Sequence, residues 1–362
     1  MSLERDEELF PRTAAPLGWL VGAGAVARRA WLGRRGQRLD APVISVGNLT
    51  VGGTGKTPVV QRVAEWLAGA GLHAAVLSRG YARPRPVAGV TRVSKCGRLE
   101  ALRWELAGDE PWMLAQALAH ASVYVAADRL AAGRAALADG AQVLLLDDGF
   151  QHLRLARDLD IVCLRGDEGR LRVLPAGPLR EPPRALAAAH AAVRVSPWRG
   201  AEAEDAAGGG PGSEEARAAR ALERLRRRLG PEALWCEAEL EPREVRLSDG
   251  QVLPPAALRG ERVGLLCGIA RHGRFVATVG ALGARVEAIH ARRDHHLFEA
   301  AELESLRQDL LWVTTEKDAV RLPREFGAAV LRVGLRFTRE GEELRGRVLG
   351  AARPGPRAGG TG

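Results

Sequence analysis

Two stretches of this sequence carry residue types that handle phosphate and metal. The first is Val43-Ile-Ser-Val-Gly-Asn-Leu-Thr-Val-Gly-Gly-Thr-Gly-Lys-Thr57, an apolar strand that runs into glycines and then into Gly55-Lys56-Thr57 at the start of a helix. Glycines let successive backbone N–H groups curl around phosphate oxygens, and a helix N-terminus adds positive potential. The pattern predicts that Gly52, Gly53, Thr54, Gly55, Lys56 and Thr57 cradle a nucleoside triphosphate. Lys56 would meet the β- and γ-phosphates and the Thr57 hydroxyl would bind Mg²⁺. Pro58 fits the first turn of that helix, where a missing N–H costs nothing. The strict motif has glycine where Thr50 stands; here Gly52 and Gly53 keep the turn supple.

The second stretch, Val143-Leu-Leu-Leu-Asp147-Asp148, is an apolar strand ending in two carboxylates. A strand of this form sets an acid beside the Mg²⁺ of a phosphate loop, so Asp147 and Asp148 are candidate metal ligands. The plainer alternative is a strand followed by two solvated aspartates. Gly149 permits a tight bend that turns Gln151 and His152 toward the crevice at the carboxyl ends of the strands. Kinases, ATPases and GTPases all share such a loop. A guanine reader shows Asn/Thr-Lys-x-Asp after a strand, and Thr315-Glu-Lys-Asp318 does not fit it.

These groups need a frame, and the hydrophobic pattern supplies one. Strands are predicted at Val43–Val46, Ala74–Ser78, Val123–Ala126, Val143–Leu146, Asp160–Leu164 and Ala191–Val195. Helices are predicted over Lys56–Ala70, Pro111–His120 and Arg129–Ala138. Repeated β-α-β of this kind gives a parallel sheet covered by helices. Ala201–Ser213 is a Gly/Ala/acidic run that reads as a flexible linker, and a charged helix, Glu214–Leu229, follows. Leu234–Leu247, a turn at Asp249-Gly250 and Val252 read as a β-hairpin. A second α/β series comes next: strand Val263–Cys267, helix Arg274–Leu282, strand Arg285–Ile289, helix Glu299–Leu306 and strand Leu311–Thr314. The tail after Gly350 reads as disordered.

Composition narrows the partners. With 46% apolar and 27% charged residues, the 362-residue chain is globular. Its net charge of +9 suits a phosphorylated substrate or an anionic membrane surface. Arginine supplies nearly all of the base; the lysines are Lys56, Lys95 and Lys317, and two of them fall inside sharp motifs. Nothing interleaves aromatics with arginine as base stacking requires, so no nucleic acid is expected. Cys96, Cys163, Cys236 and Cys267 lack metal spacing and read as reduced thiols. No stretch reaches the roughly 18–20 apolar residues that span a bilayer. Leu17, Trp19, Leu20, Val21, Trp31 and Leu32, with Arg28, Arg29, Arg34 and Arg35 nearby, suit an interfacial helix or an ordinary helix packed on its own domain.

Several longer strings occur in a fixed order: Ser45 to Pro58, Ser78-Arg-Gly-Tyr81, Gly108-Asp-Glu-Pro111, Asp147-Asp-Gly-Phe-Gln-His152, Gly177-Pro-Leu-Arg-Glu-Pro182, Asp294-His-His296 and Thr314-Thr-Glu-Lys-Asp318. Together they resemble tetraacyldisaccharide 4'-kinase, the lipid A 4'-kinase family, over about Ser45 to Leu322. The resemblance implies transfer of the ATP γ-phosphate to the 4'-hydroxyl of a tetraacyldisaccharide 1-phosphate, forming lipid IVA. It implies ATP and Mg²⁺ as cofactors, a lipid-linked disaccharide substrate, and a peripheral place on the cytoplasmic face of the inner membrane. The implied fold is α/β: a P-loop NTPase-like parallel sheet domain and a second, smaller α/β domain joined by a two-stranded hinge. On this chain the divisions fall at 1–36 (N-terminal helix), 37–200 (kinase domain), 201–217 (linker), 218–350 (second domain, hinge near 234–252) and 351–362 (tail).

A sugar hydroxyl is a weak nucleophile and needs a group that accepts its proton as it attacks. Asp109 matches the family's proposed base and His295 its partner, with the adjoining His296 competing for that role; Lys56 completes the catalytic set. Arg180 and Glu181 match a loop that meets phosphate and Mg²⁺, while Arg79, Asp128 and Arg129 are weaker contact candidates. Asp109 and His295 lie in different halves, so domain closure would assemble the base and exclude water. The bland readings are that Asp109 caps the helix near Pro111, that Asp294 caps the next one, and that the histidines are surface residues. The stretch Gly268–Phe275 departs from the family's pattern at Arg271 and His272. A membrane-associated P-loop ATPase or GTPase switch without an acceptor is the alternative function.

Overall fold

The computed structural model describes residues 12–353 apart from 34, 82, 86, 101–102, 167–170, 199, 201–213, 270–271 and 324. The predicted linker run 201–213, Arg271 and the tail beyond 353 lie outside the described residues. Within them the strands are β1 (Val43–Asn48), β2 (Ala74–Ser78), β3 (Thr91–Lys95), β4 (Arg98–Leu99), β5 (Ser122–Val125), β6 (Val143–Asp147) and β7 (Leu159–Leu164). The later ones are β8 (Ala191–Pro197), β9 (Leu234–Arg246), β10 (Val252–Leu253), β11 (Arg262–Cys267), β12 (Arg285–Ala291), β13 (Leu311–Thr315) and β14 (Ala329–Arg339). All belong to one sheet, ordered β12-β11-β13-β14-β9-β8-β7-β1-β6-β2-β5-β3-β4, with β10 beside β9.

The first half is parallel from β5 through β8. Its central strands are buried on both faces, which is why they read as continuous apolar runs rather than alternating ones. Side chains still alternate: Ile44, Val46, Val76 and Leu145 pack against the helices Lys56–Gly69 and Asp109–Ala117. Val43, Leu77, Leu144 and Leu146 pack against Arg129–Ala138 on the other face. The second half has its own core, where Val263, Leu265, Val313 and Leu331 meet Phe275 and Val279 of the helix His272–Ala281.

The hairpin predicted at 234–252 forms, with a short second strand. A turn does form at Asp249-Gly250, but β10 pairs only Val252 and Leu253 with β9. The long partner of β9 is β14, antiparallel from Val330↔Arg246 to Arg339↔Glu237, while the start of β9 runs parallel to β8. Sequence reasoning missed the β9–β14 pairing because no local turn marks a partner so far along the chain. The helix Gly341–Ala351, also unpredicted, carries Leu344 and Val348 back into the core of the first half beside Val59 and Val63. Packing thus assigns 341–351 to the first half, although 218–350 reads as one unit in the sequence.

The N-terminal helix, Ala15–Leu32, uses two glycines to dock. A Cβ on Gly18 would lie 2.9 Å from the Val173 carbonyl oxygen, and one on Gly22 would lie 3.3 Å from Pro182 Cγ. Its other face leaves Trp19 82% and Leu20 71% exposed. Among the described residues no helix is long and apolar enough to cross a membrane.

Candidate active site

The glycine-rich loop leaves β1 between two parallel neighbours, β6 and β7. Gly52 (φ 90°) and Gly55 (φ 77°) are left-handed, and a Cβ on Gly55 would lie 2.6 Å from Val195 Cγ1. Glycine is required there by both conformation and space. Asn48 Nδ2 donates to the Thr50 carbonyl at 2.6 Å, and Gln151 Nε2 donates to the Asn48 carbonyl at 3.0 Å. A second loop lies alongside: Val51 N–H donates to the Pro178 carbonyl and Arg180 N–H to the Leu49 carbonyl. Thr50 bridges to Leu179 in strand fashion, which accounts for a β-branched residue where the strict motif has glycine.

The acidic strand end adjoins this loop. Asp148, left-handed at φ 56°, has Oδ1 3.3 Å from Lys56 Nζ and Oδ2 2.7 Å from Arg180 Nη1. Burial pushes its carboxyl up, but the charges of Lys56 and Arg180 outweigh that and hold it below the usual carboxylate range. Asp147, 4% exposed, accepts a hydrogen bond from Ser78 Oγ at 2.9 Å. Burial, then the charges of Glu110 and Asp148, push it up to about 6 against the pull of Lys56 and Ser78. Asp147 therefore feels the charges of both Glu110 and Lys56. Nearby His152 is pushed down to about 4 by burial and by Arg129 and Arg157, so it is neutral at ordinary pH. Arg129, 5% exposed, follows Asp128, whose carboxylate accepts from Leu130 N–H and caps the helix.

The residues present suit a triphosphate and a hard divalent cation. Thr54 Oγ1 is buried with no hydrogen-bond partner among the described residues, beside left-handed glycines whose N–H groups line the loop. Asp148 lies 3.3 Å from Lys56, Asp147 precedes it at the end of β6, and Thr57 lies in the first turn of the following helix, a donor set of oxygens that Mg²⁺ favours. Glu181, the fourth predicted ligand, is engaged elsewhere: it accepts from Arg29 Nε at 2.7 Å, and Arg29 also donates to the Phe150 carbonyl. Arg180, predicted to meet phosphate, pairs here with Asp148. A cavity of about 710 Å³ opens beyond the loop at the carboxyl ends of β7 and β8, between Arg165, Gly166, Ser196, Pro197 and Arg226.

Asp109 is not a helix cap. Gly108, at φ 93°, occupies the cap position of Asp109–Ala117, and Asp109 Oδ1 instead accepts from Glu110 N–H at 2.9 Å. Its Oδ2 meets two groups from the second half: His295 Nδ1 at 2.8 Å and Arg321 Nη1 at 3.0 Å. His296 turns away to Glu302 at 2.9 Å, so the neighbour ambiguity resolves to His295. Nor does Asp294 cap a helix: its Oδ1 accepts from His295 N–H and from Lys317 Nζ.

Lys317 and Arg321 were not singled out from sequence as site residues. Lys317 Nζ reaches Glu110 Oε1 at 3.0 Å, Asp294 Oδ1 at 3.1 Å and His295 Nε2 at 3.4 Å. Arg321, buried, also donates to Asp318 and to the Gly268 carbonyl. The sequence signals for Lys317 are its rarity in a chain that otherwise uses arginine and its place in the Thr314–Asp318 string. Burial pushes Asp109 up, yet the His295 bond and the charges of Lys317 and Arg321 bring it below the usual carboxylate range.

The sequence profile of the tetraacyldisaccharide-1-P 4'-kinase family matches residues 11–351. The tetraacyldisaccharide 4'-kinase of Anaeromyxobacter sp. (strain K) is 40% identical over 95% of this chain and 96% of its own length. The one from Methylobacterium sp. (strain 4-46) is 38% identical over 91% and 90%. Among solved structures, LpxK from Aquifex aeolicus in complex with ATP is similar at a TM-score of 0.74 and 29% identity, over 94% of this chain and 99% of that one.

Proposed function

Since the chain belongs to the tetraacyldisaccharide-1-P 4'-kinase family, we propose that its two halves divide one phosphoryl transfer between them, the first holding the nucleotide and the second completing the base. The protein is an ATP-dependent kinase of a lipid A precursor, moving the γ-phosphate to the 4'-hydroxyl of a tetraacyldisaccharide 1-phosphate. The relatives carry the kinase name, so the acceptor-free switch has no support.

In our reading the N–H groups from Gly52 to Gly55, with Lys56 and Arg180, hold the phosphates, and Thr57, Asp147 and Asp148 hold Mg²⁺. Glu181 would join them only on leaving Arg29. When bound, Mg·ATP supplies the transferable phosphoryl group and neutralises its developing charge. The chain's own work is positioning and proton transfer. Asp109 accepts the hydroxyl proton, and His295 and Arg321 hold its carboxylate in place. Arg79 and Arg129, on the same side as Asp147, offer positive charge to a phosphorylated substrate. The apolar exposed face of Ala15–Leu32 suits the headgroup region of an anionic leaflet, which would place the enzyme peripherally on the cytoplasmic side of the inner membrane.

One observation carries this reading: Asp109 Oδ2 of the first half lies 2.8 Å from His295 Nδ1 of the second, and the next residue, Glu110, acts electrostatically on Asp147. The test is transfer of label from γ-labelled ATP to an acyl disaccharide 1-phosphate. The wild type should give a bisphosphorylated lipid, and Asp109→Ala should lose that product while still binding ATP. Full transfer by folded Asp109→Ala would remove Asp109 as the base.

A further inference from the structure

We propose that Lys317 sets the tautomer of His295 and so leaves Asp109 as the one member of the pair able to take the substrate proton. This rests on the reading of Asp109 and His295 as the base pair. An ammonium has three donors and no acceptor. Lys317 Nζ points them at Glu110 Oε1 (3.0 Å), Asp294 Oδ1 (3.1 Å) and His295 Nε2 (3.4 Å). A ring nitrogen facing a donor-only group must offer its lone pair. The ring proton then sits on Nδ1 and is donated to Asp109 Oδ2, 2.8 Å away. A ring protonated on both nitrogens would set an N–H against the ammonium.

Without Lys317 the choice reverses. Asp294 Oδ2 lies 3.8 Å from Nε2 and is the carboxylate that would draw a proton there. His295 would then sit between two carboxylates, with Nδ1 either bare against Asp109 or part of a cation. The other charged groups around the pair are Asp318 and Arg321 from the second half and Glu110 from the first; His296 faces Glu302, and the Tyr81 ring stands edge-on at 6.2 Å.

The geometry also selects an oxygen. A carboxylate has about four acceptor sites. On Asp109, His295 and Arg321 occupy Oδ2, and Glu110 N–H takes one site of Oδ1. The site left open is on Oδ1. There the hydroxyl proton goes as the sugar oxygen bonds to phosphorus and the bond to ADP breaks; the proton passes to solvent after product leaves.

The test is a tautomer measurement on the full chain with ¹⁵N-labelled histidine, with the His295 signals assigned by their loss in His295→Gln. The wild type should show protonated Nδ1 and unprotonated Nε2. Lys317→Met should lose that pattern, and its turnover should fall roughly tenfold or more while the KM for ATP changes little. The acid limb of its rate profile should move to higher pH, because Asp109 loses a nearby cation. Lys317→Arg should restore the pattern. Glu110→Ala removes the bond from Lys317 to the first half but leaves the ammonium beside the ring, so it should keep the wild-type pattern. A wild-type pattern in Lys317→Met, or a change in Glu110→Ala equal to that in Lys317→Met, would overturn the proposal in favour of a strut between halves. Retained transfer in Asp109→Ala would sink the base assignment alone, since the ring spectrum does not depend on activity.

Discussion

Lys56 and Asp148 meet from the ends of adjacent parallel strands, β1 and β6. Asp109 meets His295 and Arg321 across 186 and 212 residues of chain. The phosphate end of the cleft is thus organised within one half by strand ends, left-handed glycines and a helix N-terminus. The contacts of Asp109 with His295 and Arg321 exist only where the halves touch. At the first, local backbone geometry places the charges; at the second, their placement depends on how the two halves pack. If Asp109 is the base, as proposed, the groups that hold it, His295 and Arg321, both come from the second half.

The contrast can be broken most sharply by kinetics. Asp109→Asn should lower transfer by about 10²–10⁴-fold, the range for a general base, with ATP affinity by titration unchanged. Lys56→Ala should lower transfer by about 10²–10³-fold or more and weaken ATP binding in the same titration. Equal ATP affinity in the two variants would erase the division of labour.

A smaller effect concerns stability. Asp147 has its folded pKa raised to about 6, so its contribution to folding is present in full below the ordinary carboxylate pKa and is lost as pH rises through about 6. At neutral pH the metal-free protein therefore carries a penalty of roughly 3 kcal/mol at this site. Asp147→Asn should raise the thermal midpoint by several degrees at pH 7, with the gap closing at acid pH, while transfer is lost. Equal midpoints at pH 7 would mean that the carboxylate carries no such strain.

The smallest effect separates two glycines. Gly55→Ala should cost about 1–3 kcal/mol in denaturant unfolding, since an added Cβ meets Val195 at 2.6 Å in a left-handed residue. Gly53→Ala, with open space around its Cβ, should stay within about 0.5 kcal/mol. A similar loss at both positions would show that the loop needs suppleness rather than one rigid shape.

Legibility followed the same division. β1, β6 and the helix after Lys56 are short-range features whose apolar runs and glycines are visible in sequence, and their ends fall where the pattern puts them within a residue or two. β14 escaped because its pairing with β9 is remote and its half-buried residues show no clean alternation. Ser78 escaped because a serine ending a strand is unremarkable until β2 is known to lie beside β6. Glu181 matched a motif, yet its partner here is Arg29, a contact made by the docking of another helix.

By itself the sequence determined the strands, the phosphate loop and the acids that follow it, because these depend on backbone conformation and burial within short windows of chain. Through motif resemblance it also put forward Asp109, with one of two histidines, as the proposed base. Only the tertiary structure decided that His295 rather than His296 is the partner, that Lys317 and Arg321 complete the pair, and that β9 and β14 join the halves. Those choices turn on distances of about 3 Å between groups far apart in the chain, and side-chain contact at that range is set by how whole domains pack.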